Sequence, residues 1–506
     1  MPSGSLNPEQ VKMKKLKIIS SLSLVAGLFA LPPAAQADSL LEVYQQALQS
    51  DPAIHEAEAR RLAALEAKPQ ARGVLFPQID AGASWIKSES DGTSTQFDVT
   101  PCDPGGDPTD PGNICINPYE VPSENRSETQ SWNVTLRQTL FRWDQIVGLR
   151  QADKVVAKAE ALREAAQQDL IVRVAQRYFD VLAAEDRLRS IHADRQAIAR
   201  QLEQAKQRFE VGLIAITDVQ ESQAAYDQSV AAEIAAKRSL ATAREFLREI
   251  TGQHVSNLSA PREDLPLRGP ERSEAEWVDL SLSQNLNLVA SRLDEQLARD
   301  EISYRRNGHY PTLDLVANVA DSDTESDFRI QAEDEPWRPT DNARQTDSIR
   351  VEFNIPLFAG GTVSSRVREA VYLHRAAREQ LQRVTRETER QARDAYLGVL
   401  SEKSRVEALE QAVESSQTAL EATQAGFEVG TRTIVDVLNS QFALYAAKTN
   451  YEQSRYDYLL NVLRLKQAAG NLQVQDLELI DQWLTERRTP EEVFAEEEAA
   501  SPSSSE

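Results

Sequence analysis

Two stretches of this sequence, 209–223 and 427–441, are nearly the same and lie 218 residues apart. Nine of their fifteen positions are identical, and a glycine follows each copy at the same offset, Gly252 in the first and Gly470 in the second. Self-similarity over this length indicates one structural unit that occurs twice. Residues at equivalent positions of the two halves are therefore expected at equivalent heights in the fold.

The N-terminus has the pattern of a secretory signal peptide over residues 1–37. Met13 is followed by three lysines, then by a mostly apolar run over 18–31 and by the small-residue triplet at 35–37. A basic region, a short apolar region and an A-x-A site are the marks of a signal peptide. The run is too short for a lasting membrane helix. Translation from Met1 and from Met13 both fit this pattern, and either start predicts an exported protein.

The rest of the chain lacks the roughly 20 consecutive apolar residues that a membrane helix needs. If the mature chain meets a bilayer, we therefore expect it to do so as a β-barrel. The formal net charge of −23 argues against a nucleic-acid partner, which requires clustered lysine and arginine. Residues 481–506 are rich in glutamate and small side chains, a composition that predicts a disordered tail.

The two cysteines, Cys102 and Cys115, lie in an insert rich in proline, glycine and aspartate. In an oxidising compartment this spacing favours a loop-closing disulfide. A metal site is the weaker alternative, because two thiols without a nearby histidine make an incomplete ligand set. The five histidines are scattered, and no phosphate loop or nucleophile elbow occurs. We therefore expect no enzymatic activity, no cofactor and no resident metal.

Each half contains a pair of short strands, within 77–139 in the first half and 311–357 in the second. Apolar and polar residues alternate there, as in Ile79, Ala81, Ala83 and Trp85. Such patterning is typical of a strand with unlike faces, in a soluble sandwich or between lipid and water. Four strands are too few for a closed barrel, which needs about eight. The chain is therefore expected to complete its sheet with other copies of itself.

A very long helix follows each strand pair, from about 144 to 209 and from about 364 to 427. No proline interrupts either stretch, and roughly 65 residues at about 1.5 Å each give a helix close to 100 Å long. Apolar residues keep a three-four spacing with one phase shift, which indicates an extended antiparallel coiled coil. We expect each long helix to turn back at Gly212 or Gly430.

These elements divide the chain into two structural repeats. The predicted boundaries are 38–260 for the first repeat, 261–274 for a proline-rich linker, 275–480 for the second repeat and 481–506 for the acidic tail. Each repeat is predicted to run helix, strand pair, long helix, turn and helix. These elements combine an all-α coiled-coil assembly with a sheet that other copies complete, and they contain an internal duplication.

The words Val-Gly-Leu-Ile-Ala-Ile-Thr-Asp-Val-Gln at 211–220 and Val-Gly-Thr-Arg-Thr-Ile-Val-Asp-Val-Leu at 429–438 resemble the TolC family of outer-membrane efflux proteins. The resemblance spans about 40–480, nearly the whole mature chain. It implies a trimeric channel-tunnel in which each protomer gives four strands to a shared twelve-stranded outer-membrane β-barrel. The long helices are then implied to form a periplasmic α-barrel.

The resemblance also implies a function and partners. The protein is expected to be an outer-membrane exit duct for tripartite efflux pumps, for type I protein secretion, or for both. Its implied partners are a periplasmic membrane-fusion adaptor and an inner-membrane pump of the RND, MFS or ABC type. The alternative is a periplasmic or secreted structural coiled-coil protein without a pore, which accounts for the helices but not for the alternating strands or the duplication.

The resemblance further implies a constriction at the periplasmic tip, where carboxylates project into the bore and attract cations. Asp436 matches that ring, whereas Asn439 stands at the family's second carboxylate position and predicts a single acidic ring. Helix capping is the structural alternative for Asp436, because an acidic residue in a first helical turn is stabilised by the helix dipole. Thr217 and Gln220 fit a capping-box pattern in the first copy.

Latch residues are implied at the same tip. Arg432 matches an arginine that reaches Thr217 and Asp218 on the other hairpin, where a guanidinium can donate to a hydroxyl and a carboxylate together. A surface arginine of little energetic value is the alternative. Phe427 stands where the family has a tyrosine of the latch, so that hydroxyl bond cannot form here. The latch is then expected to rest more heavily on Arg432 and Asp218.

Overall fold

The computed structural model describes residues 38–107, 109–255, 257–330 and 336–500, with side chains as far as residue 496. The predicted signal peptide, 1–37, and the last six residues of the predicted tail lie outside the described residues.

In both halves of the chain, shorter helices precede a strand pair, which a long helix and a returning helix follow. The helices are α1 (Leu40–Ser50), α2 (Pro52–Leu65), α3 (Ala67–Gly73), α4 (Trp143–Glu210), α5 (Ile216–Thr251), α6 (Glu274–Gln284), α7 (Leu286–Arg306), α8 (Thr362–Glu428), α9 (Ile434–Ala469), α10 (Val474–Asp481) and α11 (Pro490–Ala500). The strands are β1 (Gln78–Pro101), β2 (Ile114–Phe141), β3 (Ala260–Pro261), β4 (Thr312–Ile330), β5 (Arg338–Asn354) and β6 (Leu484–Thr485). The long helices α4 and α8 contain 68 and 67 residues, and the returning helices α5 and α9 contain 36 each. The internal duplication therefore holds at the level of whole elements.

The four long strands form one antiparallel sheet in the order β1-β2-β4-β5. They contain 24, 28, 19 and 17 residues, so the prediction of short strands was wrong. The alternation of apolar and polar residues stops partway along each strand and a mostly polar stretch follows; apolar residues return near the far ends of β1 and β2, as in Phe97, Val99 and Ile116. Within the described residues, β1 and β5 each have a strand partner on one side only. The sheet is thus open at both edges.

Each half folds its long helix back on the helix that follows, α4 on α5 and α8 on α9. We call these pairs hairpin one and hairpin two. At about 1.5 Å per residue, α4 is roughly 100 Å long. The largest cluster of buried residues lies midway along it, where α1 and α10 pack on the hairpins. There the rings of Phe179 and Tyr456 stack with centroids 5.5 Å apart, and Tyr178 donates a 2.6 Å hydrogen bond to the Ser259 carbonyl. This cluster joins the two hairpins.

The C-terminal segment, residues 484–496, is ordered against hairpin one, so the prediction of a disordered tail from 481 onward was wrong for these residues. β6 pairs with β3. Arg487 bonds the buried Asp186 at 2.6 Å, and Glu491 accepts a 2.8 Å bond from Arg244. The ring of Phe494 stacks on His192, with centroids 3.7 Å apart. The segment therefore pairs one carboxylate with a cation of hairpin one and one cation with a carboxylate of hairpin one, and an aromatic ring packs beside them.

In the parts of the chain that the structure describes, no helix has an apolar stretch long enough to cross a membrane.

Candidate functional site at the hairpin turns

The two copies of the repeated sequence form the turns that connect α4 to α5 and α8 to α9. Gly212 and Gly430 have φ angles of +77° and +78°, and no atom lies within 4 Å of where a Cβ would stand. The Leu213 amide donates to the Arg208 carbonyl at 2.9 Å, and the Thr431 amide donates to Gly426 at 2.8 Å. Helices commonly end in this way, with glycine in the left-handed region. The two turns therefore share one backbone geometry.

Asp436 caps its own helix. Its Oδ2 accepts from the Thr433 amide at 2.9 Å and from the Thr433 hydroxyl at 3.0 Å, while its amide donates to Thr433 Oγ1 at 3.3 Å. This is a capping box. The backbone hydrogen bond, followed by the hydroxyl bond and the positive charge of Arg432, lowers the pKa of the Asp436 carboxyl. Within one chain, Asp436 therefore has the helix-capping role that was the structural alternative. The capping bonds favour the charged carboxylate and fix its position.

The first turn lacks this cap. Ala215 stands at the N-cap of α5 and offers no side-chain bond, and the Asp218 amide donates to the Ala215 carbonyl at 3.2 Å. The capping box predicted for Thr217 and Gln220 was wrong, because α5 begins at Ile216 and Thr217 lies inside its first turn. The two copies therefore share the turn and differ in how the following helix begins.

Arg432 and Asp218 do not meet in the described part of a single chain. The stem of Arg432 lies over Gly426, whose imagined Cβ would stand 2.8 Å from Arg432 Cγ. Its guanidinium acts on Asp436, in the same hairpin. Thr217 and Asn439 are exposed side chains. A bond from Arg432 to the first turn can therefore form only after hairpin two moves, or with a neighbouring chain.

Phe427 has a partner that the sequence analysis missed. The guanidinium of Arg208, at the end of α4, lies 5.0 Å from the centroid of the Phe427 ring, the geometry of a cation–π contact. The ring also packs against a small buried cluster of Leu420, Val437 and Leu444. The internal duplication could have indicated this contact. Arg208 immediately precedes Phe209, which is the equivalent of Phe427 in the first copy, so Arg208 and Phe427 are expected at the same height in the fold.

A second contact joins the hairpins further from the tip. Gln441, only 2% exposed, donates to the Asp194 carbonyl at 3.2 Å and to its Oδ1 at 3.0 Å. Burial raises the pKa of the Asp194 carboxyl, and the bond from Gln441 opposes that rise. In the first copy the equivalent Gln223 bonds Asp227 in its own helix. The same residue thus makes a local contact in one repeat and a contact between hairpins in the other.

At the opposite end of the molecule, one face of the sheet carries a band of apolar residues, here called the apolar belt. Its members are Ile79, Ala81, Ala83 and Trp85 on β1, Trp132, Val134 and Leu136 on β2, Leu313, Leu315, Ala317 and Val319 on β4, and Ile349, Val351 and Phe353 on β5. Ile349 and Trp85 are 81% and 62% exposed. A folded chain rarely leaves such a contiguous apolar surface in water.

The upper boundary of the apolar belt crosses the strands obliquely. The last apolar residues before polar ones on this face are Trp85, Trp132, Val319 and Ile349. Each of the last three pairs with a residue two positions short of the boundary on the preceding strand, Trp132 with Ala83, Val319 with Val134 and Ile349 with Ala317. The boundary therefore moves by two residues from each strand to the next.

Beyond the belt the four strands stay paired as far as Ser123 of β2 and Ile330 of β4, and β1 and β2 then continue as a two-stranded ribbon. A disulfide joins Cys102 and Cys115 near its end, with their Cα atoms 5.0 Å apart. Across the described residues, no group of three or more histidine, cysteine, aspartate or glutamate side chains is arranged to hold a metal ion.

Comparison with known proteins identifies the family. Residues 43–253 and 277–471 match the family described as outer membrane efflux protein. The chain is 37% identical over 464 residues to the outer membrane protein TolC of Vibrio cholerae, covering 91% of this chain and 97% of that protein. It is 28% identical to the alkaline protease secretion protein AprF of Pseudomonas aeruginosa, covering 92% and 91%. The crystal structure of the outer membrane protein VceC of Vibrio cholerae matches with a TM-score of 0.65 at 19% identity, covering 85% and 96%.

The fold and these likenesses define the class, which is that of outer-membrane channel proteins with a large periplasmic part. The chain belongs to the outer membrane efflux protein family, as the resemblance to the TolC family predicted. It is an exit duct of the outer membrane for efflux, for type I protein secretion, or for both. The alternative of a structural coiled-coil protein without a pore is thereby set aside.

Proposed function

We propose that three copies of this chain close one twelve-stranded barrel in the outer membrane and one gated helical tunnel below it. The observation that carries this proposal is the sheet, which is open at β1 and β5 and bears an exposed apolar belt. Pairing β5 of one copy with β1 of the next satisfies both edges. Three four-stranded sheets then make the closed twelve-stranded barrel, and outer-membrane lipid covers the belt.

The oblique boundary of the belt supports a closed barrel. Two residues along a strand span roughly 6.6 Å, against about 4.8 Å between neighbouring strands. If the boundary lies in the plane of the membrane surface, the strands tilt strongly from the membrane normal. Strong tilt is the geometry that closes a sheet into a barrel. Trp85 and Trp132 then lie at the boundary, where membrane barrels carry aromatic girdles.

The proposed gate lies at the hairpin turns, at the periplasmic entrance. Three copies of Asp436 form a ring of carboxylates that attracts cations, and Thr433 holds each carboxylate in place. Asn439 keeps a second ring uncharged. The latch of Arg432 with Thr217 and Asp218 forms between neighbouring hairpins of the assembled trimer. Phe427 supports the closed gate by packing rather than through a hydroxyl.

The duct catalyses no reaction and needs no cofactor. A periplasmic membrane-fusion adaptor docks the tunnel to an inner-membrane pump of the RND, MFS or ABC type, and the energy for export comes from that pump. The AprF likeness favours protein secretion as one of its uses, and the TolC likeness favours the same duct architecture.

Reconstitution in planar bilayers tests this proposal. The purified protein should migrate as a heat-sensitive trimer and form pores that multivalent cations block from the periplasmic side. Asp436→Ala should weaken that block at least several-fold, because the ring loses its charge. Asn439→Ala, a change of the exposed amide one turn along the same helix, is the matched control and should leave the block unchanged. If multivalent cations blocked wild type and Asp436→Ala equally, the Asp436 carboxylates would not be part of the gate.

A further inference from the structure

We propose that a basic pocket at the periplasmic end of the barrel binds the phosphate headgroup of an anionic phospholipid. This pocket, here called the junction pocket, has a volume of about 350 Å³ and lies between the end of α7 and the start of α8. Its lining residues are Arg306, His309, Tyr310, Ser364, Val367 and Arg368. The site rests on the proposed barrel, because it requires the apolar belt to lie in lipid.

The junction pocket is cationic in a chain that is otherwise acidic. The formal net charge of the chain is −23, yet no carboxylate is among the described residues that line the pocket. Within the described part of the chain, Arg306 and Arg368 take part in no ion pair or hydrogen bond, whereas the neighbouring Arg305 bonds Glu301 at 2.7 Å. Two guanidinium groups without a protein partner favour a ligand such as a phosphate, which accepts several hydrogen bonds at once.

The fold brings the two arginines together through a close approach of α7 and α8. A Cβ on Gly308 would lie 2.8 Å from the methyl groups of Val363, so glycine permits this approach. It places Arg306 of α7 and Arg368 of α8 in one pocket. α8 begins at Thr362 without a side-chain cap, and the positive end of its dipole adds to the attraction for an anion.

The junction pocket lies at the lower edge of the apolar belt, toward the helices. Tyr310 precedes Leu313, the first belt residue of β4, by three residues, which span at most about 11 Å. The Tyr310 ring meets the Trp143 ring edge to face, with centroids 6.0 Å apart. Tryptophan and tyrosine are enriched where a membrane meets water. In the proposed barrel, the pocket is therefore level with the headgroups of the periplasmic leaflet.

The pocket opens toward the outside of the proposed tunnel. Half-buried and buried residues recur at intervals of seven along α8, and residues that are whole heptads apart share a face of a coiled coil. Arg368 and Ser364 precede Tyr396 and Val399 by whole heptads. Val399 lies in the buried cluster with α10, and Tyr396 packs against it. Since α10 inside the bore would block it, this face of α8 points outward, where lipid headgroups can reach Arg368.

Native mass spectrometry of the purified trimer tests the site, with phosphatidylglycerol added in a neutral detergent and phosphatidylcholine as the zwitterionic comparison. Wild type should retain phosphatidylglycerol in preference to phosphatidylcholine. An arginine near an anionic headgroup is worth about five-fold in affinity. Arg306→Gln and Arg368→Gln should therefore each weaken phosphatidylglycerol binding about five-fold, and the double variant about 25-fold.

Arg366→Gln is the matched control. Arg366 is exposed near the start of the same helix, but it lies two residues from Arg368 and so faces another side of α8. This variant should bind phosphatidylglycerol as wild type does. All three arginines are exposed, so glutamine fills no packed core, and trimer migration checks the folding of each variant. Inorganic phosphate at millimolar concentration should not displace the lipid, because it lacks the acyl chains that the membrane side of the site holds.

Three results would overturn the lipid site. They are unchanged phosphatidylglycerol binding in the double variant, an equal loss in Arg366→Gln, which would assign the effect to general surface charge, and displacement by inorganic phosphate, which would make the pocket a site for free phosphate. Failure of the proposed function looks different, since the wild-type protein would then form no trimer or no pores. A pore-forming trimer that binds phosphatidylglycerol independently of Arg306 and Arg368 contradicts the junction pocket alone.

Discussion

Asp436 is held by Thr433 through hydrogen bonds that favour its charged form. Because these bonds lower its pKa, the charge is complete above the usual aspartate range of about 4 and is lost as the pH falls through the lower pKa of Asp436. Thr433→Val removes the hydroxyl but keeps the backbone bond, which is the larger cause. Cation block should therefore fade at a higher pH in Thr433→Val than in wild type. Conductance titration with a multivalent cation measures the midpoint.

Thr433→Ser is the matched control, since it restores the hydroxyl and should return the midpoint to the wild-type value. A general loss of tip structure would weaken block at every pH in both variants. Equal midpoints in wild type and Thr433→Val would show that the hydroxyl does not tune this carboxylate.

Gly470 and Gly430 have similar backbone angles but different surroundings. Both have φ above +70°, so alanine costs about 1–2 kcal/mol at either position. A Cβ on Gly470 would also lie 2.3 Å from the Gln284 carbonyl oxygen, whereas Gly430 has open space. Overpacking of this kind adds about 1–3 kcal/mol. Gly470→Ala should lower the temperature of trimer dissociation well below that of Gly430→Ala, and equal melting would contradict the close approach.

Part of this residue-level geometry was predictable. The duplication located both turns at Gly212 and Gly430, and a threonine three residues before Asp436 is a capping pattern in the sequence. The box was instead assigned to Thr217, which would make Asp218 the first residue of α5, whereas the helix begins at Ile216. The Arg208–Phe427 contact depends on how the two hairpins pack, which spacing along one helix does not specify.

At the scale of elements, the C-terminal segment is fixed by charge on hairpin one. Arg244 donates to the buried Glu185 at 3.0 Å and to Glu491 at 2.8 Å. Burial raises the pKa of the Glu185 carboxyl, and the bond from Arg244 opposes that rise. Removing one partner of such a buried pair costs about 3–5 kcal/mol, less where the remaining groups are part exposed. Arg244→Gln should therefore loosen the segment.

Limited trypsin digestion reports that loosening, because Arg487 and Arg488 lie within the segment. Cleavage there should be much faster in Arg244→Gln than in wild type. Arg248→Gln, one turn along α5, breaks only an exposed pair with Glu245 and should cleave at the wild-type rate. Unchanged cleavage in Arg244→Gln would mean that Phe494 and Arg487 hold the segment without it.

The helices and strands were predictable from the sequence where apolar residues recur with a strong periodicity, and they were not predictable where that periodicity is absent. Three-four spacing without proline gave both long helices nearly to their observed ends. The strands were recognised from the alternation around Trp85 and Trp132, but their polar extensions have no unlike faces to detect. The C-terminal segment has the composition of a disordered tail, and its order depends on charged partners about 250–300 residues earlier in the chain, Arg244 for Glu491 and Asp186 for Arg487.

At the scale of the whole molecule, the proposed barrel closes the open sheet with neighbouring copies and covers its apolar belt with lipid. Val134 lies in the belt on β2, paired with Ala81 and Val319, and Asn133 points to the opposite face. An arginine on a lipid-facing barrel position costs about 2–4 kcal/mol near the bilayer centre, whereas the water-facing side tolerates it. The cost recurs three times in a trimer. Val134→Arg should therefore sharply reduce assembled trimer in the outer membrane, and Asn133→Arg should not.

The measurement is the fraction of heat-sensitive trimer in outer-membrane extracts at matched expression. Both positions are exposed in the isolated chain, so neither substitution fills a packed core. A difference between them therefore reports which face of the sheet meets lipid. Equal trimer fractions for the two variants would mean that the belt is not the lipid surface. The proposed barrel places the belt outward, toward lipid. If Asn133→Arg alone lost its trimer, the opposite face of the sheet would be the one that meets lipid, and this result would contradict the proposed trimer.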